Sequence, residues 1–310
     1  MIKPNPINRE DFNILVELAM REKGYSHMRP VIEKELLHYD LLFVLDKQGL
    51  LDKLTFQGGT SLRLCYGSSR FSEDLDFAGG YDFTTSQLMD MKDCLESYIA
   101  SRYGLEVSVK EPSQMSIELE YQDIKVDKWQ IAITTSPTRR DLPRQKIKIE
   151  VCNIPAYTRT PQALNANYDF LPDGYSDVLI MTESLDEIMA DKLISLVNTT
   201  RYVRHRDIWD LRWLKQRGAK MDKKFILSKI HDYKIIDYPT KLEKMVMNIE
   251  EIIYSDRFHN ELSRFIPLDV LERTLKKEKF KEFLINETKL LLSELKMIVD
   301  SETKHGEFQI

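Results

Sequence analysis

FQGGTSLRLCYGSSRFSEDLDF, residues 56–77, is the stretch from which the rest of the chain is read. It is entered through Leu54-Thr55-Phe56, an apolar approach with the look of a short strand. Gly58-Gly59 then marks a sharp turn, where missing side chains let backbone N–H groups come close to a ligand. Thr60 and Ser61 stand at the start of the helix expected to follow. The unpaired N–H groups and dipole of such an end favour an anion such as a triphosphate. The stretch closes on Asp74-Leu75-Asp76-Phe77. In a strand this alternation puts both aspartates on one face and turns Leu75 and Phe77 into the core. Two adjacent carboxylates repel each other unless a cation lies between them, and oxygen-only ligands suit Mg²⁺ or Mn²⁺. Alone, Gly-Gly is often only a turn and Asp-x-Asp often a solvated face. At this separation they describe a phosphate cradle facing a metal site.

A Gly-Gly turn, a spacer and Asp-x-Asp resemble the polymerase-β-type nucleotidyltransferase superfamily. The fuller strings Gly58-Gly59-Thr60-Ser61-Leu62 and Arg70-Phe71-Ser72-Glu73-Asp74-Leu75-Asp76-Phe77 are similar, more narrowly, to the AbiEii/AbiGii toxin family, which includes the MenT toxins. The resemblance covers residues 41–77, 146–151 and 183–214 and leaves the C-terminal part unmatched. It implies that Gly58, Gly59, Thr60, Ser61, Arg70 and Ser72 bind the nucleotide and that Asp74 and Asp76 bind Mg²⁺ or Mn²⁺.

At 310 residues the chain is long enough for a proper core and is expected to split into two lobes, 1–175 and 176–310. With 42% hydrophobic and 31% charged residues it has the composition of a soluble globular protein. The formal net charge of −5 gives no global signal for nucleic acid, although local basic patches coexist with an acidic total. Met1-Ile2-Lys3-Pro4-Asn5-Pro6 lacks the apolar core of a signal peptide, and no apolar run is long enough to span a bilayer. A cytoplasmic location without membrane partners is expected. Cys65, Cys94 and Cys152 are scattered and read as reduced packing residues.

Before the central stretch, Asp11 and its neighbours cap a first helix with Phe12, Leu15, Val16 and Ala19 as its apolar stripe, and a second is expected from Pro30 to Gln48. His27 and His38 read as surface or packing residues. After it, Thr84 or Thr85 is expected to cap a helix from Ser86 to Tyr103. Period-two runs at 105–109, 116–121, 124–134 and 146–151 follow, so the class is α+β with a mainly antiparallel sheet. In Lys146-Ile147-Lys148-Ile149-Glu150-Val151 the lysines and Glu150 share one face. The bland reading is a charged edge strand. The resemblance implies a third acidic residue beside the Asp-x-Asp strand, which makes Glu150 the candidate third metal ligand, with Asp127 as a weaker rival and Lys148 placed for the phosphates. Residues 153–177, rich in Pro, Asn, Asp and Tyr, read as a long irregular excursion framing the cleft.

Ser184, with Glu187 three residues on, starts a helix carrying Lys192; Arg201 and Arg206-Asp207-Ile208-Trp209-Asp210-Leu211 come next. Asp207 and Asp210 fall on one helical face, and the bland reading is a surface salt-bridge network. The resemblance implies instead that Lys192 binds the triphosphate while Asp207 or Asp210 orients the acceptor or supports the lysine. From Lys220 to Met297 the pattern is helical, with joints at His231-Asp232 and Tyr238-Pro239 and a frayed tail from Glu302. Basic runs such as Lys276-Lys277-Glu278-Lys279 read as solvated helix faces.

The resemblance thus implies a metal-dependent nucleotidyltransferase with an NTP co-substrate, acting as the toxin of a bacterial toxin–antitoxin or phage-defence system. Its acceptor would be the tRNA 3′ end and its partner a separately encoded antitoxin. Two alternatives stand beside it. One keeps the chemistry with a small molecule or protein side chain as acceptor. The other is a catalytically silent binding protein of the same fold.

Overall fold

The computed structural model describes residues 9–22, 24–114, 124–139, 142–199 and 202–303. The run expected as a strand at 116–121, Arg201, and the tail beyond 303 lie outside them. Two helices open the chain, α1 (Phe12–Met20) and α2 (Arg29–Lys47). Asp11 caps α1 by accepting from the Asn13 N–H, and Pro30 sits in the first turn of α2, where its missing N–H costs nothing. Then come β1 (Thr55–Gln57), α3 (Gly58–Leu64) and β2 (Leu75–Ala78). The helix expected from Ser86 is broken in two. A 3₁₀ turn spans Thr85–Leu88, and α4 (Met91–Tyr103) starts only after it, ending at left-handed Gly104.

Next are β3 (Val107–Lys110), β4 (Val126–Ile133) and β5 (Gln145–Cys152). The expected excursion at 153–177 is partly ordered, with β6 (Thr160–Ala163) and a 3₁₀ turn at Asp173–Tyr175, and β7 (Leu179–Thr182) follows. Among the described residues these strands form one mixed sheet in the order β3-β4-β5-β2-β1-β7-β6. The β2–β5 and β1–β7 pairs are parallel, and the other four are antiparallel. β5 is therefore flanked on both sides, which removes the edge-strand reading of its lysines. Ile147, Ile149 and Val151 are fully buried against the core that α1, α2 and α4 share with the sheet.

The remainder is helical: α5 (Leu185–Val197), α6 (His205–Gln216), α7 (Lys223–Asp232), α8 (Tyr238–Tyr254), α9 (Asp256–Ser263), α10 (Leu268–Arg273) and α11 (Glu278–Thr303). The joints at His231-Asp232 and Tyr238-Pro239 fall where expected. Those at Ser255 and at 264–267 were not foreseen, because Ser255 sits in a continuous apolar pattern and acts as the cap of α9. These helices bury a second core, to which α3 contributes Leu62.

Sheet and helices are joined by buried charge. The ammonium of Lys229, on α7, is inaccessible and lies 3.0, 2.9 and 3.2 Å from Glu183, Glu187 and Asp191. One cation cannot balance three carboxylates. Burial, together with the neighbouring acids, raises the Glu183 and Asp191 pKa values against the pull of Lys229. Ser184 caps α5 by accepting from the Glu187 N–H at 3.3 Å. The reciprocal half of a capping box does not form. Glu187 turns away to take the N–H groups of Tyr157 and Thr158 (2.8 and 2.7 Å) and the Thr158 hydroxyl. With only one cap bond in place, Ser184→Ala is expected to lower stability by ~1 kcal/mol, read as a shifted urea midpoint with unchanged slope.

Candidate active site

The Gly-Gly turn lies between the two halves of the site. Gly58 has φ +78°, a left-handed conformation, and a Cβ placed there would lie 2.6 Å from an Asp76 carboxylate oxygen. A Cβ on Gly59 would fall 2.5 Å from the Arg70 guanidinium and 3.0 Å from Ser72 Oγ. Neither position tolerates a side chain, so the turn is packed against the acidic strand on one side and the basic strap on the other. The hydroxyls of Thr60 and Ser61 are buried and used internally: Thr60 donates to the Asp74 carbonyl and Ser61 to the Gly58 carbonyl at 2.9 Å. That leaves the first backbone N–H groups of α3, rather than the hydroxyls, as the donors without an intrahelical partner.

β2 and β5 run parallel with Asp76 directly beside Glu150. Asp74 precedes the strand, and its Oδ1 accepts from the Lys148 backbone N–H at 3.0 Å. Burial, then Glu150, then Asp74 push the Asp76 carboxyl up to about 7, against the opposing pull of Lys192 and Arg204. Sequence reading missed Lys128, which sits opposite Glu150 on β4 and brings its ammonium to 3.3 Å from the Glu150 carboxylate. The Lys148 ammonium is 3.9 Å from the same group and 38% exposed, reaching toward solvent. Asp127 is not a rival. One residue from Lys128, it points to the opposite face, where it accepts from Thr85 Oγ1 at 2.5 Å and pairs with Lys125 at 3.3 Å.

The basic half is a buried chain of alternating charges. Arg70 donates to both oxygens of Asp210, at 2.7 and 2.6 Å, and to the Phe71 carbonyl at 2.7 Å. Lys192 lies 3.2 Å from Asp210 and 2.6 Å from Asp207, which also accepts from Ser195 Oγ at 2.6 Å. The network is interior rather than the surface one of the bland reading, because Arg70 arrives from a segment 140 residues away from Asp210. Burial opposes charge on Lys192, but Asp207 and Asp210 outweigh it and its pKa is raised. Burial likewise opposes ionisation of Asp207, and Lys192 with Arg204 reverses that, leaving its pKa lowered. Both stay charged at neutral pH.

The carboxylates offer oxygen alone, the donor set that Mg²⁺ or Mn²⁺ accepts, and the surplus negative charge raising Asp76 is what a divalent ion would cancel. Among the described residues no three acidic, histidine or cysteine side chains are grouped so as to hold a metal ion, and at this site Asp74 is turned to Lys148 and Glu150 to Lys128. By chemistry the donors fit such an ion, and Glu150 is the third carboxylate within reach beside Asp76.

The sequence profile described as "Nucleotidyl transferase AbiEii toxin, Type IV TA system" matches residues 40–286, which include every element just described. The chain belongs to the AbiEii family. It is a nucleotidyltransferase of the toxin type, and enzymes of this kind use an NTP and a divalent metal. No curated protein matches the chain. Among solved structures the AbiEii chain is similar to MenT4, a nucleotidyltransferase toxin from Mycobacterium tuberculosis H37Rv, at 16% identity and TM-score 0.55, with 91% of this chain and 89% of that one covered. JHP933 from Helicobacter pylori aligns at 17% identity and TM-score 0.48, over 89% of this chain and 98% of that one. Among the described residues no helix is long and apolar enough to cross a membrane.

Two outcomes are expected. Asp210→Ala leaves the Arg70 guanidinium buried without its partner and costs ~3–5 kcal/mol, seen as a large drop in denaturation midpoint; Asp207→Ala, which spares that pair, costs less. Asp76→Asn has a pH signature. A carboxyl that titrates near 7 when folded, but near its ordinary value when unfolded, holds a proton between those limits that the unfolded chain releases. Metal-free stability therefore falls as pH rises across that window. The variant is expected to melt higher than the wild type at pH 8 in chelator, by on the order of 2 kcal/mol after allowance for partial exposure. The gap should close near pH 4.

Proposed function

We propose that this AbiEii protein transfers an NMP from an NTP to the 3′ hydroxyl of tRNA, and that a separately encoded antitoxin restrains it. The observation carrying the reading is the register of Asp76 with Glu150, placed across the Gly58–Gly59 turn from a buried lysine held by two aspartates. Asp74 and Asp76, with Glu150 as the third carboxylate, are the residues that would hold Mg²⁺ or Mn²⁺. A divalent ion bound there lowers the pKa of the attacking hydroxyl and neutralises charge on the phosphates.

The chain's own residues do the rest. Backbone N–H groups at Gly58, Gly59, Thr60 and Ser61 cradle the phosphates, with Ser72 lining the turn. Lys148 reaches the phosphates from β5. Lys192 sets a fixed positive charge against the leaving group, and Asp207 with Asp210 keeps it ionised and aimed. Arg70 acts from behind the turn: its donors go to Asp210 and Phe71, so it positions Lys192 through Asp210. In the reaction the acceptor hydroxyl loses its proton, its oxygen bonds to the α-phosphorus, and the α–β bridging bond breaks to release pyrophosphate.

The test is to incubate the protein with Mg²⁺, each labelled NTP in turn and total tRNA, with Asp74→Ala alongside. Label on tRNA from the wild type alone is the expected result and identifies the nucleotide. Label on another cellular fraction would move the acceptor to a small molecule or protein. Equal labelling by both proteins would overturn the metal assignment.

A further inference from the structure

Glu73 adjoins Asp74 in the chain, and its carboxylate gathers three cations from three distant segments. Lys34 on α2 donates to it at 2.7 Å, Arg206 in the first turn of α6 lies at 3.6 Å, and Arg264 after α9 lies at 4.0 Å. The two guanidinium groups share one support, the buried Phe265 ring, at 4.7 and 5.4 Å from its centroid. The loop carrying Glu73 is pinned by His38, which is 3.0 Å from the Glu73 carbonyl. Burial presses the Glu73 pKa up, yet Lys34, Arg206 and Arg264 together bring it below the ordinary value.

An isolated surface ion pair is worth little and needs no ligand to explain it. A single carboxylate facing three cations is a different arrangement, because it leaves positive charge in excess. Glu261, 3.4 Å from Arg206, offsets only part of it. Arg206 is 35% and Arg264 66% exposed, so both remain reachable from solvent. Glu73 adjoins Asp74 and Arg206 adjoins Asp207 in the chain, and Glu261, the other partner of Arg206, also acts electrostatically on Arg70, which brings the trio close to the site.

We infer that Lys34, Arg206 and Arg264 form a phosphate-binding subsite beside the active site, for which Glu73 acts as an internal stand-in when no substrate is bound. This rests on the nucleotidyltransferase reading above, since the phosphate belongs to one of that site's substrates: the backbone of the acceptor RNA or the tail of the NTP. An arriving phosphate displaces the Glu73 carboxylate and takes its place among fixed cations, with guanidinium forks suited to phosphate oxygens.

The experiment measures binding without turnover, using periodate-oxidised tRNA in one arm and a non-hydrolysable NTP analogue with Mg²⁺ in the other. The Arg206→Ala/Arg264→Ala double variant is expected to lose ~10-fold or more in affinity for one probe at moderate salt. In the RNA arm its log–log salt slope is expected to fall by roughly 1.4 to 1.8, the value of two lost phosphate contacts. Glu73→Gln should shift affinity for the same probe the other way, several-fold tighter, which no unfolded variant would do. Which arm responds identifies the phosphate's source. Unchanged affinity for both probes, or weaker binding by Glu73→Gln, would overturn the subsite. Because binding is read directly, absence of nucleotide transfer by the wild type would count against the reaction and leave the subsite standing.

Discussion

The alternating run Arg70–Asp210–Lys192–Asp207 is the constraint on which the site depends. Four charged side chains removed from water are stable only while every one is paired, so the segments that carry them hold each other in place. Arg70 belongs to the strap leading into β2, Lys192 to α5, and the aspartates to α6. If the strap moved, Asp210 would lose its bidentate partner. If α6 moved, Lys192 would lose both carboxylates. Lys192 is thus fixed relative to the acidic strand by a cost that rises steeply with displacement, with no covalent tie between them.

The same logic recurs at two other joints. Arg63 on α3 donates to Glu35 on α2 at 2.7 and 3.0 Å and to the Ser68 carbonyl, anchoring the short helix after the glycine turn. Lys229 and its three carboxylates tie α7 and α5 to the end of β7. Tyr66 adds a direct bond from the loop after α3 to the Glu183 carbonyl at 2.6 Å. The turn facing the candidate metal ligands is therefore held by pairings among groups outside the candidate site.

Much of this was legible in the sequence. The Asp-x-Asp alternation at Asp74 and Asp76 and the shared face of Lys148 and Glu150 follow from the two-residue period of a strand, a local property. The mixed α+β class follows from the same patterning. Partners distant in sequence were not legible. Lys128 meets Glu150 only through the register of β4 against β5, and Lys229 meets its acids across some 40 residues. Arg70 looked like a phosphate ligand because an arginine next to an acidic motif gives no sign of whether its guanidinium faces inward or outward. The break before α4 was missed because Met89-Asp90 carries no glycine or proline to announce it.

The strand order has a consequence for how the protein is made. β2 sits between β1, its near neighbour in sequence, and β5, which reaches it only after β3 and β4 have been laid down. Asp76 therefore waits some 70 residues for Glu150, and Arg70 a further 60 for Asp210. Domains fold as they leave the ribosome, and pairings distant in sequence form last. A nascent or prematurely ended chain that stops before α6 carries the acidic strand, the glycine turn and Lys192, but neither Asp207 nor Asp210 to hold that lysine. For a toxin this delays harm during its own synthesis: about two thirds of the chain must be made before Asp210 can close the run of paired charges.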